Sequence, residues 1–140
     1  MLSKQNKMKS KNYNFRVRYY ETDKMQYAHH SNYAKYFENA RIEWLRDSGI
    51  SYKKMEDNGI MLPVVNLNIN FKKPAKHDDL LTIKTSIKQI PSVKIIFIYE
   101  VYNQNQELLT IGESTLVFVD MKKNKPIRCP ESILKVILAQ

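Results

Sequence analysis

The chain has one cysteine, three glycines and a single tryptophan among its 140 residues. One cysteine, Cys129, cannot form an internal disulfide, so the fold has to be held by its own core, and a reducing compartment is expected. Cys129 is followed by Pro130 with no histidine nearby in sequence, which gives no reason to read it as an activated thiol. The glycines Gly49, Gly59 and Gly112 are too few and too scattered for a phosphate-cradling loop, and no G-x-S-x-G elbow is present. No apolar run approaches the length of a membrane span and no secretory apolar core follows Met1, so a cytoplasmic protein is expected. Internal repeats and interior low-complexity segments are absent too.

What is present is ordinary in composition and basic in balance. Hydrophobic residues make up 43% and charged residues 26%, which suits one globular domain able to bury a core. The formal charge is +9. Four of those charges, Lys4, Lys7, Lys9 and Lys11, lie in a polar stretch without period, read as a basic tail over residues 1–12 ahead of one domain over 13–140. The remaining excess suits a polyanion, and cofactor phosphates would serve as well as nucleic acid. No groove-reading motif accompanies it, so nucleic acid is not an expected partner.

The stretch Tyr19–Leu45 organises the rest. Its back half carries Tyr33, Tyr36, Phe37, Ala40, Trp44 and Leu45 at steps of three and four, the period of a helix with one buried stripe, and Gly49 closes it. Its front half is a polar loop with Asp23, His29 and His30, delivered to the helix N-terminus, where free N–H groups favour negative charge. Asn14–Tyr20 alternates as a strand. Ser51–Asn58 reads as a short helix with Ser51 as cap and Ile50 and Met55 as a hydrophobic staple. From Leu62 the period becomes two: Val65, Leu67, Ile69 and Phe71; then Leu81, Ile83, Thr85 and Ile87; then runs over 93–102 and 108–120. Gly112 would mark a bulge or a close approach, and a terminal helix is expected from Pro130 to Leu138. Short turns join these strands, so the fold class is α+β with an antiparallel sheet against the long helix.

Each candidate has a plainer reading. A loop aspartate commonly just forms a turn. Adjacent histidines do not aim both rings at one ion, and nothing in the sequence joins them to His77, Asp78 and Asp79, so no metal is expected. Glu38 and Arg41 read as a surface pair.

The segment T-D-x(6)-H-x-N-Y, filled by Thr22, Asp23, His30, Asn32 and Tyr33 and followed by Y-F-E-N-A-R, resembles the 4-hydroxybenzoyl-CoA thioesterase family. Its broad acyl-CoA thioesterase branch, associated in many bacteria with the Tol–Pal system, is the more similar one. The later N-x-N-F-K-K-P-A-x-x-D-D-L-L and V-F-V-D runs are also like that branch. The resemblance implies a hotdog fold, a curled antiparallel sheet wrapped around a long central helix. It implies dimers or tetramers with sites at subunit junctions. It makes Asp23 the catalytic carboxylate, as nucleophile or as base for water, and the His30 backbone N–H the group that polarises the thioester carbonyl. Tyr27, Asn32, Tyr33, Lys72 and Lys73 would bind substrate, and no cofactor is needed beyond the CoA of the substrate. The basic excess, including Lys72, Lys73 and Lys76, could meet CoA phosphates, the plainer reading being solvated lysines on a sheet edge. Acyl carrier protein is an alternative carrier, a non-catalytic acyl-binding protein an alternative function. Some relatives place the working acid on the helix, which would be Glu38 here. One departure stands out: the family commonly has glycine three residues after the acid, where this chain has Gln26. A bulky residue there would reshape the loop or narrow the acyl pocket.

Overall fold

The computed structural model describes residues 9–140. Lys4, Lys7 and the rest of residues 1–8 lie outside the described residues. Strand β1 (Lys11–Arg16) leads through a turn of 3-10 helix at Tyr19–Glu21 and the Asp23 loop to a second such turn at His30–Asn32. The latter runs directly into α1 (Tyr33–Asp47), followed by α2 (Tyr52–Asp57) and the short β2 (Ile60–Met61). Then come β3 (Val64–Phe71), β4 (Leu80–Ile87), β5 (Lys94–Tyr102) and β6 (Leu108–Val117), with β7 (Val119–Asp120), β8 (Lys125–Pro126) and α3 (Glu131–Leu138) closing the chain.

Five strands form one antiparallel sheet in the order β1-β4-β5-β6-β3, and β2, β7 and β8 form a small second sheet. The inward rows of the large sheet, including Leu81, Ile83, Ile87, Ile95, Phe97, Tyr99, Val101 and Leu116, meet the buried stripe of α1. The Phe37 ring stacks on Tyr99 at 4.3 Å, and Trp44 meets Phe97 edge-on at 6.0 Å. This is the curled sheet around a central helix expected of the hotdog fold.

Gly112 explains how closely the helix approaches. A Cβ on it would lie 2.5 Å from Cε2 of Phe37, so only a hydrogen fits under that ring. The strand is regular there, pairing Gly112 with both Tyr99 and Ile69; the register shifts fall instead at Val64/Asn66 and Val101/Tyr102. The expectation of a close approach holds, and the bulge lies elsewhere.

Three local differences from the sequence reading have physical causes. The first strand starts at Lys11 and ends at Arg16, rather than running from Asn14 to Tyr20. Lys11 belongs to the fold because its ammonium donates to Ser48 Oγ at 2.7 Å and lies over the Trp44 ring. At the other end the Glu21 carboxylate accepts from Arg18 N–H and winds Tyr19–Glu21 into a helical turn, leaving Tyr19 72% exposed. Arg41 is buried, so its 3.7 Å approach to Glu38 is not the surface pair the spacing implied. Ser51 caps α2 as expected, its hydroxyl accepting from Lys54 N–H at 3.2 Å.

Candidate active site at the N-terminus of the central helix

The Asp23 loop is a tight hairpin made by its own acid. Asp23 Oδ1 accepts from Met25 N–H at 2.8 Å and Tyr27 N–H at 3.2 Å. The backbone closes the same turn through Gln26 N–H to Asp23 O and Asp23 N–H to Tyr27 O, both 2.9 Å. One carboxylate oxygen is thereby fixed in the turn, and Oδ2 has no hydrogen-bond donor among the described residues. Gln26 takes a φ of +64°, the left-handed region that glycine occupies without strain. A glycine, which the resemblance leads one to expect at this place, would hold that conformation at no steric cost. The Gln26 side chain is exposed and does not line the cleft described below, so it does not narrow that cleft in the single chain.

A second loop, between β3 and β4, docks beside the first. Ala28 N–H donates to Ala75 O at 2.7 Å, and His77 N–H donates to Gln26 O at 2.9 Å. The Tyr19 and His77 rings meet edge-on at 5.5 Å. Nothing in the sequence links these segments; backbone pairing joins them.

Between the loops and the start of α1 opens a cleft of about 340 Å³. Asp23, Tyr27, Ala28, His30, Tyr33 and Phe71 line it, together with Lys72, Lys73 and Pro74. Six of the seven residues singled out from the sequence thus meet in one place. Asn32 is the exception: its side-chain amide donates to Glu21 O at 2.7 Å and His29 O at 3.2 Å, clamping backbone rather than facing the cleft. Lys73 is tied to Glu107 at 3.0 Å, while Lys72 forms no ion pair among the described residues. Asn103 and Lys73 hold the Glu107 carboxyl below the usual carboxylate range.

His30 begins the turn that becomes α1, and its N–H has no protein acceptor among the described residues. The turn is held from outside by His29, whose Nδ1 accepts from Ser31 N–H at 3.2 Å. An unpaired N–H at a helix start, with the dipole behind it, favours a developing negative charge. A carboxylate, a free helix-terminal donor and an apolar wall of Tyr33 and Phe71 are the parts needed for acyl transfer at a carbonyl. Burial raises the Tyr33 phenol above its ordinary value, so it stays protonated at neutral pH.

Sequence reasoning missed Glu21, which is buried directly behind this loop. Its place in E-T-D was visible, and nothing in the local pattern distinguished it from an exposed acid.

The chain is similar to several known proteins. The acyl-CoA thioester hydrolase YbgC of Escherichia coli O6:H1 is 31% identical over 119 residues, covering 85% of this chain and 89% of that one. The long-chain acyl-CoA thioesterase FadM of Escherichia coli K12 is 32% identical, covering 80% and 85%. The DHNA-CoA thioesterase structure from Staphylococcus aureus matches with a TM-score of 0.81 at 36% identity, over 85% of this chain and 80% of its own. The family model for the thioesterase-like superfamily matches residues 17–137, and the chain belongs to that superfamily.

Proposed function

We propose that this protein is an acyl-CoA thioesterase, hydrolysing an acyl-CoA to the free acid and CoA at the head of α1. The observation that carries this reading is the meeting of Asp23, the free His30 N–H and Tyr33 in one cleft. The relatives' activities support the same reaction class.

In this reading the thioester carbonyl oxygen accepts from His30 N–H, and Asp23 Oδ2 works on the carbonyl carbon or on a water beside it. As a base it takes a proton from water as the oxygen adds, and the C–S bond then breaks to release CoA as the thiol. As a nucleophile it forms a mixed anhydride that water opens. A single turnover in H₂¹⁸O tests for the anhydride: label in the Asp23 carboxylate requires it, whereas label in the acid alone arises by direct water attack or by opening of the anhydride at its acyl carbon. Neither route needs a metal or a cofactor. Tyr27, Tyr33 and Phe71 would hold the acyl group, and Lys72 and Lys73 the phosphates of CoA.

A second copy of the chain completes the site. β3 is an edge strand with Leu67 40% and Phe71 53% exposed on the face toward α1, and Val65 57% exposed at its register shift. Such a row beside unpaired strand backbone is suited to another sheet edge, and Asp23, exposed in the single chain, would lose water in that assembly. A homodimer, with tetramers built from it, follows. A cytoplasmic location is part of this proposal. Among the described residues no helix is long and apolar enough to cross a membrane.

The test is thiol release from a panel of acyl-CoAs by wild type and Asp23→Asn. Wild-type turnover that falls by at least about 10²-fold in the variant is expected, the size of a general-base or nucleophile contribution. Full activity of Asp23→Asn together with an inactive Glu38→Gln would move the acid to the helix. If acyl carrier protein thioesters are hydrolysed and acyl-CoAs are not, the carrier is reassigned. Saturable acyl-CoA binding without thiol release from either carrier would leave a binding protein.

A further inference from the structure

Behind the Asp23 loop lies a set of groups that the proposed chemistry leaves unused. Glu21 is only 8% exposed, and burying a carboxylate is costly unless its oxygens are satisfied. Here Oε1 accepts from the Tyr36 hydroxyl at 3.0 Å and from Arg18 N–H at 2.9 Å. The Tyr36 ring is buried on α1, 4.5 Å from the Phe15 ring and edge-on to Tyr33 at 5.3 Å. Tyr33 in turn lines the cleft. The backbone carbonyl of the same Glu21 accepts from His29 N–H at 2.8 Å and from the Asn32 amide at 2.7 Å.

These bonds run to two parts of the central helix, its body and its start. Through its side chain Glu21 is fastened to the body of α1; through its carbonyl it is fastened to the residues on either side of His30. Its own chain continues straight into Thr22 and Asp23, where Thr22 pairs with Ala28 across the hairpin. The base of the Asp23 turn and the start of the helix are thus joined at one residue. An apolar side chain would fill the same space with no charge to satisfy. What it could not do is hold a loop at a fixed angle to a helix.

We propose that Glu21 is a positioning residue, its bond to Tyr36 fixing the spacing between the Asp23 carboxylate and the His30 N–H. The proposal rests on the roles given to those two groups above. Misplacement of a reacting group by about 1 Å costs up to about 10²-fold in rate, so a loosened loop acts on turnover more than on binding.

The experiment is steady-state thiol release by Tyr36→Phe, Glu21→Ala, Glu21→Gln and the Tyr36→Phe/Glu21→Ala double variant, each assayed well below its own unfolding midpoint, with Asp23→Asn alongside. Tyr36→Phe removes one hydroxyl and keeps the buried ring, so it folds even if Glu21→Ala does not. Expected are a kcat lower by about tenfold or more in Tyr36→Phe with KM within about twofold, as for an interaction that matters in the transition state. The double variant falls no further than the worse single one, because the pair acts as a unit. Glu21→Gln, which keeps an acceptor for both donors, recovers most of the rate lost in Glu21→Ala. A wild-type kcat in Tyr36→Phe, or a purely additive double variant, overturns the proposal. An active Asp23→Asn would instead sink the assignment on which it rests.

Discussion

Gln26 holds a backbone conformation that L side chains adopt at a cost of roughly 1–2 kcal/mol, with φ at +64° in the turn that carries Asp23. Because its side chain is exposed, glycine at this position removes strain and no contact. We expect Gln26→Gly to stabilise the fold by up to about 1 kcal/mol, reduced by the greater freedom of glycine in the unfolded chain. Urea unfolding reads this directly, and a destabilised variant would mean that the Gln26 side chain contributes a contact the turn needs. Cys129 gives a second prediction at this scale. Burial, and then the nearby Glu131, push its thiol from an ordinary 9.0 up to about 11. A raised pKa means the folded state holds the proton more tightly than the unfolded one. The resulting stability is complete below about pH 9 and disappears as pH rises toward 11. Replacing Cys129 by alanine should flatten the pH dependence of stability between those values; an unchanged slope assigns it to the buried tyrosines, whose phenols are also raised.

Among the elements, the start of α1 decides the chemistry, and its donor is a backbone group that ordinary side-chain substitution leaves in place. Proline can remove it. His29 has φ −66° and ψ 139°, the extended conformation that a residue before proline prefers, and the first helical position is where proline is tolerated. His30→Pro should therefore fold and lose about 10²–10³-fold in kcat, the range for deleting one oxyanion donor. Circular dichroism checks the fold, and retention of wild-type turnover would remove His30 N–H from the mechanism. The helix itself was legible from sequence because six large or small apolar residues recur on one face. Arg41 and Glu21 were not legible. Their burial depends on what packs over them, Tyr99 and the sheet for one, α1 for the other, and no periodicity of their own segments carries that information. Asn32 fell in the motif and faces away from the cleft for a similar reason. A short polar side chain next to a helix start has backbone carbonyls within reach, and it takes them.

For the whole molecule, the sequence showed β3 as a regular alternation and gave no hint that its apolar row lacks a cover. Alternation reports a face; whether anything sits on that face is a property of strand order, and β3 ends the sheet. The proposed dimer gives the row its partner. Leu67→Lys should put a charge in that contact, yielding a monomer in sedimentation velocity with thiol release lost. A monomer that retains full activity would show the site to be complete in one chain. The antiparallel pairing of β4, β5 and β6 was recoverable from turn lengths, since each returns through a short connection; the places of β1 beside β4 and β3 beside β6 were not. The docking of the two site loops was not, because it depends on backbone hydrogen bonds between segments nearly fifty residues apart.

Trp44, the only tryptophan, is buried on α1 with its indole N–H donating to Lys9 O at 3.1 Å and the Lys11 ammonium 4.9 Å above its ring. The molecule therefore carries an intrinsic fluorophore at the junction where the first strand meets the central helix. Its emission maximum and its quenching by added acrylamide report whether that strand is seated, and it does so far from the cleft, so substrate can be present without contributing to the signal.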